Sequence, residues 1–362
     1  MRYELKIPEY GFLDPEGNLL CKEEDLPAFA RDPNELTAMY RAMVLTRVVD
    51  QKAVNMHKTG MMGTYASSLG EEAVDVGTGY ALDETLGNIF APYYRNHGTL
   101  LVMFGPEIFS KIFLFWGGDE RGNMFADADR CLPFAVPIGT QFPIAVGLAK
   151  GRRLLGKEGV VVVSGGDGST SKGDFNTSLN EAAVRKLPVV FLIKNNQYAI
   201  SMPVKEQTAT RPLALRGGGF AVYSMIADGN DVIAVRHAVG LAIARAREGK
   251  GPVLVEAQTY RLADHTTVDA AKDYRDQEEV DRARANEPLL RLRRLLIRRG
   301  WWDDAREAAL LAESERKAEE IKQGYLAIPR QRTEDLVEFL YEKIPDVYSY
   351  REQLAELKRK GV

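Results

Sequence analysis

Asp167, Asn196 and the glycines at 165, 166 and 168 are the residues whose types and spacing point most directly to chemistry. They share one stretch, Gly165 to Ser201, reading GGDGSTSKGDFNTSLNEAAVRKLPVVFLIKNNQYAIS. A carboxylate and a side-chain amide are hard oxygen donors suited to Mg²⁺, which takes few protein ligands and completes its shell with phosphate and water oxygens. Glycines let backbone N–H groups come close to an anion. The combination reads as a clamp for a magnesium diphosphate. A glycine turn with a surface aspartate and a capping asparagine pair would use the same residues. The 29 positions from Asp167 to Asn196 favour the clamp, since that is the length of one crossover with its helix.

The elements that must position these residues follow from the flanking pattern. The apolar run Val160–Val163 ends at Ser164 and the glycines, and a helix pattern spans about Phe175 to Arg185. Pro188 opens a second apolar run, Val189–Ile193, which ends at Lys194, Asn195 and Asn196. Strand, turn, helix, strand is the βαβ unit of a parallel sheet, and such sheets hold ligands at the C-terminal ends of their strands.

Upstream, residues 1–31 are rich in Pro, Gly and charge and predict an irregular N-terminal arm. Asp32-Pro33-Asn34-Glu35 supplies a cap, a proline at the first helical position and an early acid for a helix that stops at Gly60. His57 sits in its last turn, where a cation suits the helix dipole, and reads as structural. A helix is expected over Glu71–Ala81. Ile89–Pro92 then empties as a strand into Tyr93-Tyr94-Arg95-Asn96-His97-Gly98, a candidate site edge at a glycine turn. Helices follow from Pro106 to Trp116 and from about Phe142 to Leu155. Beyond the central stretch come a strand at Ala221–Ile226, a helix capped by Asp231 and running to Arg247, and a strand at Val253–Gln258. His237 reads as a surface residue of that helix. From Gln277 the chain reads as helical and charged. The alternation predicts an α/β fold, a doubly wound parallel sheet with helices on both faces, in a domain over 32–276, with a helical extension over 277–362.

Composition narrows the function. A net charge of −3 argues against a nucleic-acid partner. Arg291–Arg299 (RLRRLLIRR) predicts a solvated basic helix face, or less readily a docking surface for an acidic partner. Two cysteines, Cys21 and Cys131, cannot form a metal cage and fit a reducing cytoplasm. No apolar run reaches membrane-spanning length, and no signal-peptide core begins the chain.

GDG followed by a helix and NN after the next strand resembles the thiamine diphosphate fingerprint of the transketolase and 2-oxo acid dehydrogenase families. NNQYAIS (195–201), YYRNHG (93–98), VPIGTQFPIAVG (136–147), DGND (228–231), EAQTYR (256–261) and the HTT loop (265–267) extend the match. The sequence is similar to the α subunit of the heterotetrameric first component of 2-oxo acid dehydrogenase complexes. RGWWDDA (299–305) resembles the branched-chain member.

That resemblance implies thiamine diphosphate and Mg²⁺ as cofactors, with Asp167, Asn196 and the Tyr198 carbonyl on the metal. It implies Tyr94 and Arg95 on the diphosphate, where a guanidinium fork suits phosphate, and backbone donors at Gly168 and Ser169. Ile138 matches the residue that props the bent cofactor. His265 matches a family histidine on a loop beside it, a catalytic candidate whose pKa a diphosphate would raise. Lys194 is either a phosphate contact or a solvated strand-end lysine. Thr64 stands where relatives carry an aromatic substrate wall, with Tyr65 beside it. A monovalent-ion site of the relatives needs a hydroxyl where Ala135 stands, though Thr140 and Gln141 match it. Thr266 reads as an ordinary loop threonine.

The implied activity is oxidative decarboxylation of a 2-oxo acid, pyruvate or branched-chain, with acyl transfer to a lipoyl-bearing transacylase component. The glutamate that activates the cofactor belongs to the β subunit in this family, so an α₂β₂ heterotetramer in the cytoplasm is implied. Alternatives are an acetoin dehydrogenase α subunit and a non-catalytic regulatory or scaffolding subunit. A dinucleotide-binding dehydrogenase is weakest, because GGDGST (165–170) departs from GxGxxG.

Overall fold

The computed structural model describes residues 7–82, 84–124, 129–134, 136–338, 341–343, 345 and 349–361. Its strands are β1 (Glu9–Tyr10), β2 (Ile89–Ala91), β3 (Val161–Gly166), β4 (Val189–Asn195), β5 (Tyr198–Ala199), β6 (Met202–Pro203), β7 (Tyr223–Asp228) and β8 (Val253–Gln258). Six of them form one sheet in the order β1-β7-β8-β4-β3-β2 with every pairing parallel, while β5 and β6 make a small hairpin.

The helices are α1 (Pro33–Lys58), α2 (Glu72–Ala81), α3 (His97–Phe104), α4 (Ile108–Trp116), α5 (Gln141–Leu154), α6 (Gly173–Val184), α7 (Val204–Gln207), α8 (Leu215–Gly218), α9 (Val232–Arg247), α10 (Gln277–Ala285), α11 (Pro288–Arg298), α12 (Asp304–Leu326), α13 (Asp335–Glu338) and α14 (Tyr350–Arg359). The period-two alternation of β3 and β4 sends their side chains to opposite faces. Val161, Val163, Val189 and Phe191 pack with Phe142 and Ala145 of α5 and Phe175 and Leu179 of α6. Val160, Val162, Val190 and Leu192 pack on the other side with α1, α2 and α9. Helices thus cover both faces of a doubly wound sheet.

The caps read from sequence form as chemistry dictates: Asp32 accepts from Asn34 N at 2.8 Å, and Asp231 accepts from Ile233 N at 2.9 Å. Two expectations about the course of the backbone fail. Residues 93–98 do not end in a glycine turn, because His97 and Gly98 begin α3. The N-terminal arm is not wholly irregular, because β1 extends the sheet edge, with Glu9 opposite Ile226.

The physical reason lies in α11. Leu289, Leu292, Leu295 and Leu296 are buried, and of the arginines beside them Arg293 pairs with Asp304 and Glu307 while others bind the arm. Arg291 bonds the Leu13 carbonyl at 3.1 Å, Arg294 the Pro15 carbonyl at 2.8 Å, and Arg298 binds Glu16 and Asn18. The basic run is thus solvated only in part, with Arg294 and Arg298 exposed, and its arginines tie the arm down. α12 adds Leu310, Ala318 and Ile321 to the same core as α1. His237 is half-buried against the rings of Tyr10 and Phe12 rather than on the surface. No helix among the described residues is long and apolar enough to cross a membrane.

Candidate active site

The parallel register of β3 and β4 sets Gly166 opposite Lys194, so Asp167 and Asn196 lie just beyond two neighbouring strand ends. They open on a cavity of about 440 Å³. Tyr94, Arg95, Ile138, Asp167, Gly168, Ser169, Asn196, Tyr198 and His265 all line it. Lys194, Tyr65 and Thr64 do not.

Asp167 begins a single 3-10 turn, Asp167–Ser171. Its carboxylate is buried and neither oxygen has a donor in bonding geometry, although the backbone N–H groups of Asp167 and Asn196 lie near enough to lower its pKa slightly. Burial, with Glu71 nearby, pushes its pKa up to about 7. An uncompensated buried carboxylate is costly, and a cation is the partner that would offset the cost. The glycines beside it serve space rather than unusual φ. A Cβ on Gly168 would lie 2.8 Å from that of Ala199, and one on Gly165 would lie 2.6 Å from the Phe142 ring.

Arg95 enters from the β2–α3 connection, fully buried, and donates to the Ser67 carbonyl and at 2.9 Å to the His265 carbonyl. His265 Nδ1 lies 3.3 Å from Arg95 and 3.5 Å from Arg261. Facing two donors, Nδ1 acts as acceptor, which assigns the proton to Nε2. Burial and these two guanidiniums lower the His265 pKa to about 3. The protein's own charges therefore act against the expected rise and hold the ring neutral at pH 7.

Arg261 was missed by residue-level reasoning, although it sits in the YR pair that ends the EAQTYR segment. It is buried on the cavity wall and donates to the carbonyls of Tyr198 at 3.0 Å and Ile200 at 2.8 Å. The Tyr198 carbonyl, one of the three expected metal donors, thus already carries one hydrogen bond.

The residues off the cavity have clear reasons for their places. Lys194 is not a solvated lysine: its Nζ is buried between Glu71 Oε2 at 2.9 Å, Asp75 Oδ1 at 2.8 Å and the Arg95 carbonyl at 2.8 Å. Its three donors are spent before any phosphate arrives. Tyr65 is buried behind the site, stacked on His97, with its hydroxyl 3.0 Å from Asp50 and 2.9 Å from His97 Nδ1. Thr64 is exposed. Neither forms a wall of the cavity. Gln141 lines it and donates to the Ser164 carbonyl at 2.9 Å, and Thr140 bonds the Pro137 carbonyl. Ala135, the remaining position of the monovalent-ion reading, lies outside the described residues.

No group of three or more His, Cys, Asp or Glu side chains gathers as a metal cage among the described residues. The three residues expected on the metal, Asp167, Asn196 and Tyr198, instead share the lining of one cavity. Residues 40–325 match the model of the dehydrogenase E1 component family. The chain belongs to that family. This E1-type dehydrogenase component is 39% identical over 323 residues to the 3-methyl-2-oxobutanoate dehydrogenase subunit alpha of Mycobacterium tuberculosis strain H37Rv, covering 89% of this chain and 87% of the relative. It is 34% identical over 340 residues to the pyruvate dehydrogenase E1 component subunit alpha of Bacillus subtilis strain 168, covering 93% and 89%. With the corresponding subunit of Acholeplasma laidlawii it shares 38% over 279 residues, 77% and 80% of the two chains. The E1 dehydrogenase family depends in general on thiamine diphosphate.

Proposed function

We propose that this E1 component is the α subunit of a 2-oxo acid dehydrogenase that decarboxylates its substrate oxidatively and passes the acyl group to the lipoyl group of a transacylase component. The names of all three relatives carry a 2-oxo acid, which supports that substrate class. The observation that carries the cofactor reading is Asp167, a buried carboxylate with no donor in bonding geometry on either oxygen, sharing a cavity with the guanidinium of Arg95. A divalent cation at Asp167 and a diphosphate at Arg95 would satisfy both.

Asp167, Asn196 through its side-chain oxygen and Tyr198 through its carbonyl would hold Mg²⁺, all hard donors. Arg95, Tyr94 and the N–H groups of Gly168 and Ser169 would receive the diphosphate. When bound, thiamine diphosphate supplies the electron sink for loss of carbon dioxide. Ile138, half-exposed on the wall, gives the cofactor an apolar support. His265, neutral with its proton on Nε2, can donate to oxygen on the reacting acyl group. Glu71, buried and bound to Lys194 and Asn196, is off the cavity wall and cannot serve as the glutamate that activates the cofactor. We therefore infer a β subunit supplying that group in a cytoplasmic α₂β₂ heterotetramer.

The test is 2-oxo-acid-dependent dye reduction with thiamine diphosphate and Mg²⁺, with this chain alone and with its β partner, comparing pyruvate and the three branched-chain 2-oxo acids. Turnover only in the mixture is expected, and the rate ranking names the substrate. Turnover by the chain alone would overturn the split site.

A further inference from the structure

We infer that Glu71, held by Lys194, is a positioning residue that sets which end of the Asn196 amide faces the cavity. The inference rests on the cation reading above. Glu71 caps the N-terminus of α2, directly after Gly70 at φ +96°, where a Cβ would collide with the Tyr260 carbonyl. The backbone there thus admits only a narrow set of conformations, and the carboxylate is carried fully into the interior. One oxygen, Oε2, takes Lys194 Nζ at 2.9 Å and the Tyr93 hydroxyl at 3.2 Å. The other, Oε1, takes Asn196 Nδ2 at 2.7 Å.

An ionised carboxylate has no donor to offer, so the amide nitrogen of Asn196 must turn toward Glu71 and its oxygen away. Lys194 keeps the arrangement one-way. Its remaining protons go to Asp75 and the Arg95 carbonyl, so it cannot release the Glu71 oxygen without leaving a buried donor unmet. Outer partners of this kind fix the orientation of a metal ligand.

Chemistry predicts what a neutral isostere does. In Glu71→Gln, Lys194 claims the single amide oxygen, which leaves an NH₂ group facing Asn196. Asn196 is then driven to flip and present its own NH₂ to the cavity, giving up the long 3.3 Å bond that its oxygen accepts from Tyr198 N in the native arrangement. The double variant Glu71→Gln/Asn196→Asp swaps donor and acceptor across the same bond and returns an oxygen to the cavity.

The experiment measures Mg²⁺ affinity by calorimetry and Mn²⁺ affinity by electron paramagnetic resonance on the assembled complex with its β partner and saturating thiamine diphosphate. Thermal unfolding of the cofactor-free forms is followed in parallel. Glu71→Gln is expected to weaken both cations by roughly 10–100-fold, and the double variant to recover most of the loss. A merely structural role would not be rescued in this way. Wild-type affinity in Glu71→Gln overturns the inference, as does a double variant that fails to fold or binds no better than the single one. A wild-type complex that binds neither cation would sink the parent reading and this one with it.

Discussion

Replacing Asp167 by asparagine should stabilise the cofactor-free protein while removing its capacity to hold the cation. In the folded chain the carboxyl pKa is pushed from 3.8 to about 7 by burial. The shift is about 3 units, and at 1.36 kcal/mol per unit the ionised group costs the fold about 4 kcal/mol. The sign follows from proton binding. Because the folded pKa is the higher one, the folded state holds a proton that the unfolded state has lost between pH 4 and 7. The penalty is full above pH 7, shrinks as the pH falls, and vanishes below about 4. Asparagine removes it at pH 8. At about 2.1 cal/mol/K per residue, a chain of 362 residues has an unfolding entropy near 0.75 kcal/mol/K, so 4 kcal/mol corresponds to about 5 °C in Tm. The assay is calorimetric melting of apo wild-type and Asp167→Asn protein at pH 5 and pH 8, with Mg²⁺ binding measured alongside. The variant should melt several degrees higher at pH 8, with the gap narrowing at pH 5 and cation binding lost. An apo variant less stable than wild type at pH 8 would refute the claim that this carboxylate is held at a cost.

His265 has a folded pKa lowered to about 3, so its ring should show no titration between pH 5 and 8 in the cofactor-free protein, as read by ¹³C-detected imidazole shifts. Its depressed pKa means it contributes nothing above pH 6.5, where the ring is neutral folded or unfolded, and lowers stability as the pH falls toward 3 because only the unfolded-state imidazole protonates. Arg95→Lys keeps the charge but loses the planar fork, and should weaken thiamine diphosphate binding about tenfold in a calorimetric titration. Tyr65→Phe should leave the substrate ranking unchanged, because the ring is off the cavity, while lowering stability by about 1 kcal/mol through loss of the bonds to Asp50 and His97. Asp231→Ala removes both a helix cap and the anchor of the arm, since its carboxylate accepts from Phe12 N, Leu13 N and Ile233 N. Stability should fall by about 2–4 kcal/mol, and limited proteolysis should cut the arm first.

The parts of this protein that were legible in its sequence are those governed by short-range rules. Caps at Asp32 and Asp231 and the apolar runs of β3, β4 and β8 each follow from a few adjacent residues, although β3 continues through Gly165 and Gly166 where the sequence predicts a glycine turn. The site residues that line the cavity were reached through a family pattern read at matching positions, and the cavity gathers nine of them. What escaped depends on partners far away in the chain. Lys194 looks like a strand-end lysine until α2 brings Glu71 and Asp75 to it across 119 to 123 positions, the two separations in the numbering. The α11 arginines look solvated until the arm they bind is seen. Tyr65 is an aromatic in the right segment for a substrate wall, but Asp50 and His97 claim its hydroxyl and turn it inward.

The loop after β4 shows why such distant partners matter to the chemistry. Gln197 at φ 75° and Ile200 at φ 57° both occupy the left-handed region, which a β-branched residue such as isoleucine rarely enters. Conformations of this kind cost about 1–3 kcal/mol each and persist only where surroundings over-determine them. They bracket Tyr198, which lines the cavity, and Gln197 follows Asn196 directly. The over-determining contacts are identifiable. Arg261 donates to the carbonyls of Tyr198 and Ile200, the β5–β6 hairpin pairs Tyr198 with Pro203, and Glu71 grips the Asn196 amide. The strained loop is therefore held beside the cavity by two buried charges, Glu71 just before α2 and Arg261 just after β8.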